Sequence, residues 1–317
     1  MREILFIKTS SLGDVIHHMP ALTEARRRLP DARFSWVVEE AFAPLVRLHP
    51  AVSEVIAVAS RRWRRSLLAP STWRDIATSL RGLRAHGYDD VVDTQGLLRS
   101  ALIARCARGP RHGYDRASIR EPFAASFYDK RHAVRRDLHA IERNRTLTGS
   151  ALGYTIDGAP DYGLDRSRFA AAGERTAVLL HATARPEKEW PEQRWIDIGR
   201  SLADAGFRIV LPAGNAIERA RSERIAAAIP GAQVPPLQPI DGVARLIAGA
   251  TLVVGVDTGL MHLAAAFGVP LVAIFCGSEP GLTGPIGAGP MFVVGNKSGA
   301  PSVDTVRAAI ERIAAVR

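Results

Sequence analysis

The chain has 317 residues, of which 47% are hydrophobic and 23% charged, and its formal net charge is +10 at pH 7. This length predicts two domains of about 150 residues each, and no apolar run reaches the roughly 18 residues that a membrane span requires. The only apolar run before Lys8 is residues 4–7. That run is too short for the core of a signal peptide, so we expect a cytoplasmic protein.

The positive charge is concentrated in the first half of the chain. Residues 1–160 hold 26 Lys and Arg against 17 Asp and Glu, whereas residues 161–317 hold 16 against 15. A basic surface of this kind suits nucleic acid, an anionic membrane surface or an acidic substrate. Aromatic residues make up only 6% of the chain, and no RNA- or DNA-binding signature is present, so nucleic acid is the least favoured partner.

Short apolar runs alternate with helical patterns through the first half, which indicates parallel βαβ units. Strands are predicted at residues 4–8, 34–38, 55–58 and 91–94, and helices at residues 14–29, 70–85, 96–107 and 138–152. The stretch 158–163 is the best linker candidate. We therefore divide the chain into domains 1–160 and 161–317.

The same alternation restarts after the linker. Strands are predicted at residues 177–181, 208–211, 252–256, 271–275 and 291–294, and helices at 191–205, 217–228, 240–248, 260–267 and, at the terminus, 303–316. Two doubly wound halves place a cleft between them, and ligands bind at the carboxyl ends of the strands. Neither a G-x-G-x-x-G after the first strand nor a G-K-[ST] motif occurs, which argues against a dinucleotide oxidoreductase and a P-loop NTPase.

The stretch 251–266 is the centre of the site expected in the second half. An apolar strand stops at Asp257-Thr258-Gly259, and a helix of small residues begins. The N–H groups and partial positive charge of a helix start suit a phosphate. Thr258 and His262 are four residues apart and share a helix face. Asp257 or Thr258 could cap the helix, and His262 taken alone could equally be a packing residue.

The loop at residues 181–191 follows the first strand of the second half. It contains Thr183 and Lys188, which suit a diphosphate because the lysine supplies charge to a leaving group. The alternative is a polar connecting loop in which Trp190 packs against the next helix. Glu218 could accept hydrogen bonds from ribose hydroxyls, or it could be an acid of a first helical turn.

Asp14 follows the first strand of the chain, where the next helix starts. A carboxylate at this position could take a proton from a sugar hydroxyl, provided that it lies within hydrogen-bond reach. The alternative is a helix cap, with Ser10 and Ser11 forming the turn.

The run of residues 60–65 is the densest basic cluster of the chain. Arginine forks bind phosphates and carboxylates bidentately, and Arg120 could join the same surface. The alternative is a solvated charge run. The candidate acceptor-binding residues are Arg61, Arg62, Arg64, Arg65 and Arg120.

In this order, the segments resemble the ADP-heptose:lipopolysaccharide heptosyltransferases, a GT-B glycosyltransferase family, over nearly the whole chain. The matching motifs are K-T-S-S-x-G-D at 8–14, W-V-V-E-E at 36–40, the basic run at 61–65, Q-G-L at 95–97, R-E-P at 120–122, K-x-W-P at 188–191 and V-D-T-G-L-x-H-L at 256–263. Each motif alone is modest evidence, and their order makes the set specific. The chain departs from the family at Ala184, where the family has a second Thr, and at Arg65, where it has Lys.

The resemblance implies an α/β fold of the GT-B class, with two Rossmann-like doubly wound parallel-sheet domains facing a cleft. The acceptor would bind to domain 1–160 and the nucleotide-sugar to domain 161–317. The implied reaction is inverting and needs no metal or other cofactor. It moves L-glycero-D-manno-heptose from ADP-L-glycero-β-D-manno-heptose to the Kdo region of Kdo2-lipid A, in lipopolysaccharide inner-core synthesis. We also expect a monomer at the cytoplasmic face of the inner membrane.

Roles carried over by position make Asp14 the general base and Lys188 the catalytic cation. The implied donor-binding residues are Thr183, Lys188, Glu218, Asp257, Thr258, Gly259 and His262. Two other functions stay open. One is heptosyltransferase II or a related ADP-heptose transferase with another acceptor, and the other is a non-enzymatic basic binding module for nucleic acid or anionic lipid.

Overall fold

The computed structural model describes residues 1–66, 68–169 and 175–315. The chain divides into two compact units, Met1–Gly163 and Leu164–Arg317. In each unit, strands that pair in parallel are separated along the chain by helices. Within the described residues, no helix is both long and apolar enough to cross a membrane.

The first unit is built on a parallel sheet. Its strands are β1 (Glu3–Ile7), β2 (Arg33–Glu39), β3 (Glu54–Val58), β4 (Asp90–Asp93), β5 (Arg111–Tyr114) and β6 (Lys130–His132). Its helices are α1 (Leu12–Arg28), α2 (Ala43–Val46), α3 (Ser60–Trp63), α4 (Pro70–Arg84), α5 (Leu98–Cys106) and α6 (Ala140–Leu152), with 3-10 turns at Glu40–Phe42 and Pro122–Phe127. The strand order β3-β2-β1-β4-β5-β6 reverses between β1 and β4. Ligand crevices open at such a switch point.

The second unit repeats this plan. Its strands are β7 (Thr176–Leu180), β8 (Arg208–Val210), β9 (Leu252–Val256), β10 (Leu271–Cys276) and β11 (Met291–Asn296), in the order β11-β10-β9-β7-β8. Its helices are α7 (Glu192–Asp204), α8 (Ala216–Ala227), α9 (Ile240–Gly249), α10 (Gly259–Ala266) and α11 (Val303–Ala315), with 3-10 turns at Arg166–Phe169, Pro186–Lys188 and Gly281–Thr283. Residue 316, the predicted end of the terminal helix, lies outside the described residues.

Continuous apolar runs form the central strands because both faces of a parallel sheet are covered. Every residue of β9 and β10 is buried. On α7, Trp195, Ile198 and Leu202 have helical spacing and share one core cluster with Trp190. The ring centroids of Trp190 and Trp195 lie 5.2 Å apart, edge to face. This packing fixes the end of the loop at residues 181–191.

Strands β5 and β6 were not predicted. Both are short, and they contain His112, Gly113 and the polar triplet at residues 130–132 instead of an apolar run. They are strands because they extend the sheet beyond β4, with Tyr114 in register with His132. Tertiary pairing has overridden a weak local preference.

Candidate functional site

The second unit places the centre of the predicted site at the carboxyl end of β9. The Asp257 N–H donates to the carbonyl of Ile274 at 3.1 Å, which continues the pairing of β9 with β10. Helix α10 begins two residues later, and Thr258 occupies its N-cap position with extended backbone. The Thr258 hydroxyl makes no capping hydrogen bond. The start of α10 is therefore a helix N-terminus without a side-chain cap from this residue.

The carboxylate of Asp257 is the polar centre of this edge. Lys188 Nζ lies 2.5 Å from its Oδ2, and the Ser278 hydroxyl donates to the same oxygen at 2.8 Å. The Thr183 hydroxyl donates to the Asp257 carbonyl at 3.0 Å. The structure thus brings the predicted residues Thr183, Lys188 and Asp257 together on the first turns after β7 and β9. Burial is partial, with side-chain exposures of 21% for Lys188 and 16% for Asp257.

Ser278 also belongs to this cluster and was not predicted from the sequence. It follows β10, the neighbour of β9, so it lies at the same edge of the sheet. The preceding Gly277 has φ +65°, and a Cβ there would lie 2.6 Å from the Glu187 carbonyl. Only glycine fits this contact without movement of the backbone. A Gly-Ser pair after a buried strand was the available signal.

Glu218 has a local role in the structure. Its carboxylate accepts hydrogen bonds from the Gly214 N–H at 2.8 Å and from Asn215 Nδ2 at 2.7 Å. Asn215 in turn caps α8 by accepting from the Glu218 N–H at 2.9 Å. This set of three hydrogen bonds joins Gly214 and Asn215 to the first turn of α8. It orders the loop after β8, and a ribose contact would be an additional role for the same carboxylate.

Two histidines of the second unit are buried. His262 on α10 is 6% exposed. His181 ends the buried run of β7, and its Nε2 lies 2.7 Å from the Ser222 hydroxyl. Burial lowers the pKa of His181 to about 4, so its imidazole is neutral at physiological pH.

In the first unit, Asp14 lies in the first turn of α1. Its Oδ2 accepts hydrogen bonds from the Ser11 N–H at 2.7 Å and from the Ser11 hydroxyl at 2.9 Å. Ser11 is the N-cap of α1, and Asp14 is the third helical residue, whose carboxylate completes a capping box; Asp14 therefore helps to cap the helix without being the N-cap itself. These two bonds also fix the position of a half-buried carboxylate at the edge of the sheet.

The loops after β1 and β4 are bonded to each other at the switch point. Gln95 Oε1 accepts hydrogen bonds from the backbone N–H groups of Thr9 and Ser10 at 3.1 and 3.2 Å. Lys8 Nζ donates to the Thr94 carbonyl at 2.9 Å and to Asn144 Oδ1 at 3.3 Å. Burial lowers the pKa of the Lys8 ammonium, and the nearby carboxylates oppose this shift. The loop that carries Asp14 is thus held from several sides.

The predicted basic cluster is exposed, but its members differ in their partners. Arg62 pairs with Glu40 at 3.0 Å and with Asp75 at 2.6 Å. The Arg61 guanidinium lies 5.8 Å from the centre of the Phe42 ring. No ion pair engages the remaining members within the described residues; these are Arg61, Arg64, Arg65 and Arg120. Arg62 is therefore less available to an anionic ligand than its neighbours.

In residues 1–66, 68–169 and 175–315, no group of three or more His, Cys, Asp or Glu side chains could hold a metal ion. The polar clusters at the two sheet edges combine Lys and hydroxyl groups with a carboxylate. Such groups can neutralise an anion and accept a proton.

The family model described as "Glycosyltransferase family 9 (heptosyltransferase)" matches residues 76–309. Lipopolysaccharide heptosyltransferase 1 of Escherichia coli K12 is 42% identical over 295 residues, which cover 91% of this chain and 92% of that protein. The protein of the same name from Pseudomonas aeruginosa is 45% identical over 292 residues, covering 90% of this chain and 81% of that protein.

Two solved structures of a relative have the same fold as this chain. The E. coli heptosyltransferase WaaC with ADP matches with a TM-score of 0.92 at 39% identity, covering 98% of this chain and 99% of that chain. Its structure with ADP-2-deoxy-2-fluoro heptose gives a TM-score of 0.88 at the same identity and coverage. The predicted GT-B fold class, with two parallel-sheet α/β domains, and the resemblance stated from the motifs are confirmed.

Proposed function

The chain belongs to glycosyltransferase family 9, the heptosyltransferases, and from this membership we propose that it moves L-glycero-D-manno-heptose from ADP-heptose to the Kdo region of Kdo2-lipid A. Three relatives above 40% identity are named Lipopolysaccharide heptosyltransferase 1, and the similar E. coli WaaC has been solved with an ADP-heptose analogue. These relatives support both the donor and the position of the reaction in lipopolysaccharide synthesis.

The observation that carries the donor proposal is the cluster around Asp257. Lys188 is the cation of this cluster, and it lies beside the start of α10. A lysine and a helix N-terminus together place positive charge where the departing ADP gains negative charge. We assign the diphosphate to Lys188, Thr183 and the first turn of α10, which begins at Thr258 and Gly259.

The remaining donor assignments follow the same edge of the sheet. Asp257 holds Lys188 in place and faces the heptose and diphosphate. Glu218, ordered by its bonds to Gly214 and Asn215, accepts the ribose hydroxyls. His262, one turn into α10, contributes to the wall of the heptose and diphosphate site.

The acceptor belongs to the first unit. Asp14 is the base that takes the proton from the accepting hydroxyl, because its position is fixed and its second carboxylate oxygen accepts no hydrogen bond from Ser11. The exposed arginines at 61, 64, 65 and 120 bind the anionic groups of the lipid acceptor, and Arg62 does so after exchanging its partners Glu40 and Asp75. The same basic face brings the protein, as a monomer, to the anionic cytoplasmic surface of the inner membrane.

The mechanism that fits these residues is a single inverting displacement without a metal. The attacking oxygen loses its proton to Asp14 as the bond to ADP breaks, and Lys188 with the α10 N-terminus stabilises the leaving group. Positioning of the two substrates and electrostatic stabilisation supply most of the rate increase.

Product analysis distinguishes this proposal from its alternatives. Purified protein is incubated with ADP-heptose and either Kdo2-lipid A or the same acceptor already carrying one heptose, and the products are examined by mass spectrometry. We expect one added heptose on Kdo2-lipid A and none on the heptose-primed acceptor. Transfer only to the primed acceptor would indicate heptosyltransferase II activity, and no consumption of ADP-heptose would favour a binding module.

A further inference from the structure

We propose that Arg99 and Arg143 bind the carboxylate of the acceptor sugar beside Asp14, with the buried Lys8 adding positive charge to the site. The inference rests on the proposed function, because that function supplies an acceptor containing Kdo, a sugar acid. It assigns a second type of anion contact, separate from the exposed arginines at 61–65. Those exposed residues follow β3, whereas the proposed site lies at the switch point between β1 and β4.

Arg99 reaches the loop that carries Asp14. It is the second residue of α5, and its NH2 donates to the Ser10 hydroxyl at 3.0 Å. Ser10 precedes Ser11, whose N–H and hydroxyl bind Asp14. The Arg99 Nε is buried and has no hydrogen-bond partner among the described residues. A guanidinium that keeps one buried N–H unpaired is a costly arrangement unless a ligand completes it.

Arg143 approaches the same edge from the first turns of α6. Its NH2 donates to the Ser118 carbonyl at 2.6 Å, and its guanidinium lies 4.9 Å from the centre of the Tyr114 ring. The Arg143 Nε is also buried without a partner in the described part of the chain. Two contacts thus fix the plane of the Arg143 guanidinium, and its buried Nε has an unmet hydrogen-bond demand.

Lys8 links the two arginines. Its ammonium is bonded to Asn144, the residue after Arg143, and it precedes the Thr9-Ser10 segment that Arg99 contacts. The positive charge of Arg143 contributes to the lowered pKa of Lys8. The three cations therefore belong to one region at the carboxyl ends of β1, β4 and β5.

The carboxylates of this region do not neutralise the arginines. Asp93 is buried, and its oxygens accept from the Tyr128 hydroxyl at 2.7 Å and from the N–H groups of Gln95 and Gly96. Asp14 accepts from Ser11. Within the described residues, the recorded side-chain bonds of Arg99 and Arg143 go to Ser10 and Ser118, and neither arginine forms an ion pair with Asp14 or Asp93. An anionic group of the substrate is the charge that would complete the cluster.

A carboxylate attached directly to the acceptor sugar suits this cluster. Planar guanidinium forks match the planar carboxylate in geometry. In a sugar acid, the carboxylate and the hydroxyls are attached to one ring. Binding of the carboxylate therefore restricts rotation of the sugar ring and orients the accepting hydroxyl toward Asp14. Arg99 and Arg143 would then select the acceptor and orient it.

The test compares two acceptors in steady-state kinetics with ADP-heptose: Kdo2-lipid A, and the same molecule with its Kdo carboxylates reduced to primary alcohols. For the unaltered protein, reduction should lower kcat/KM about tenfold to a hundredfold, the scale of hydrogen bonds to charged groups. Arg99→Met and Arg143→Met should cause a similar loss with native Kdo2-lipid A. They should cause little further loss with the reduced acceptor, and the KM for ADP-heptose should not change.

Two further variants separate charge from geometry. Arg99→Lys should recover part of the activity, because it keeps the charge and loses the fork. Arg105→Met, at an exposed position on the same helix, should leave both acceptors unaffected. If Arg143→Met does not fold, the Arg99 variants carry the test alone.

Equal losses on both acceptors in the arginine variants would overturn the inference. If the unaltered protein transfers no heptose to Kdo2-lipid A, the proposed function fails, and calorimetric binding of the Kdo methyl glycoside decides the inference separately. Weaker binding of this acid to Arg99→Met than to the unaltered protein, with equal binding of its carboxamide, would support the site. Identical binding of the acid to both proteins would contradict it.

Discussion

The ammonium of Lys188 lies 2.5 Å from the Oδ2 of Asp257, so the cation assigned to the leaving group is already held by a carboxylate. The Ser278 hydroxyl donates to the same oxygen at 2.8 Å. The lysine is therefore positioned before the donor binds. A flexible lysine would have to be ordered when the donor arrives, at a cost in conformational entropy.

Replacing this cation tests its catalytic role. Lys188→Met should lower kcat about a hundredfold to a thousandfold, the loss seen when one preorganised donor to a developing charge is removed. The affinity for ADP should also fall. Single-turnover rates and calorimetric titration with ADP measure the two effects. Lys297→Met, an exposed lysine in the same unit, is the matched control, and a normal kcat for Lys188→Met would remove Lys188 from the mechanism.

We expect Asp257 to position Lys188 and, because of its negative charge, to weaken the binding of the donor diphosphate. Asp257→Asn removes a negative charge that opposes the diphosphate, so ADP should bind as tightly as before or severalfold more tightly. The amide holds the ammonium less firmly, and kcat should fall at least about tenfold. Calorimetry and single-turnover kinetics on one preparation give both values. Weaker ADP binding with an unchanged kcat would contradict this assignment.

The lowered pKa values of two buried histidines predict that the folded protein loses stability as the pH falls. Burial lowers the pKa of His181 to about 4 in the folded protein, whereas an unfolded histidine titrates near 6.5. The unfolded state therefore takes up the proton first as the pH falls. The stability present above pH 6.5 is lost progressively toward pH 4, by about 2 kcal/mol for His181 between pH 7 and pH 5. His49, with a pKa also lowered to about 4, adds to this loss.

Urea denaturation at pH 7 and pH 5 measures the effect. His181→Gln should reduce the difference in the free energy of unfolding between the two pH values. If His181→Gln retains the full pH dependence, His181 is not one of its sources.

Metal removal tests the proposed way of neutralising the leaving group. Transfer should continue in excess EDTA at an unchanged rate, because Lys188 and the start of α10 supply the positive charge. The rate is measured with EDTA alone and after addition of excess Mg²⁺. A loss of activity that Mg²⁺ restores would overturn the metal-free mechanism.

The sequence predicted most of the fold because the central strands are continuous apolar runs separated by helical patterns. Strands β5 and β6 were missed, since their polar and glycine residues form strands only through pairing with β4 and with each other. Helix ends were predicted well where the sequence has a residue that is typical of a helix terminus. Gly153, with φ +87°, terminates α6 at the position expected for a left-handed C-cap.

Side-chain partners were harder to predict than elements. Thr183, Lys188 and Asp257 are in contact because the carboxyl ends of neighbouring strands share an edge, and their donor-binding roles stay predictions. Ser278 was missed because the Gly-Ser pair after β10 was not interpreted as part of a site. The pairing of Arg62 with Glu40 and Asp75 depends on contacts between segments distant in sequence. The partners of Arg99 and Arg143 depend on such contacts as well, and no spacing rule reveals them.

The central claim is that Asp14 takes the proton from the acceptor while the second unit holds the leaving group. A single-turnover measurement, with protein in excess over Kdo2-lipid A and saturating ADP-heptose, tests this most directly. Asp14→Asn keeps the size of the side chain and should reduce the rate at least about a hundredfold, the scale of general-base catalysis, with the same Kd for ADP. A rate within a fewfold of the unaltered protein would contradict the account.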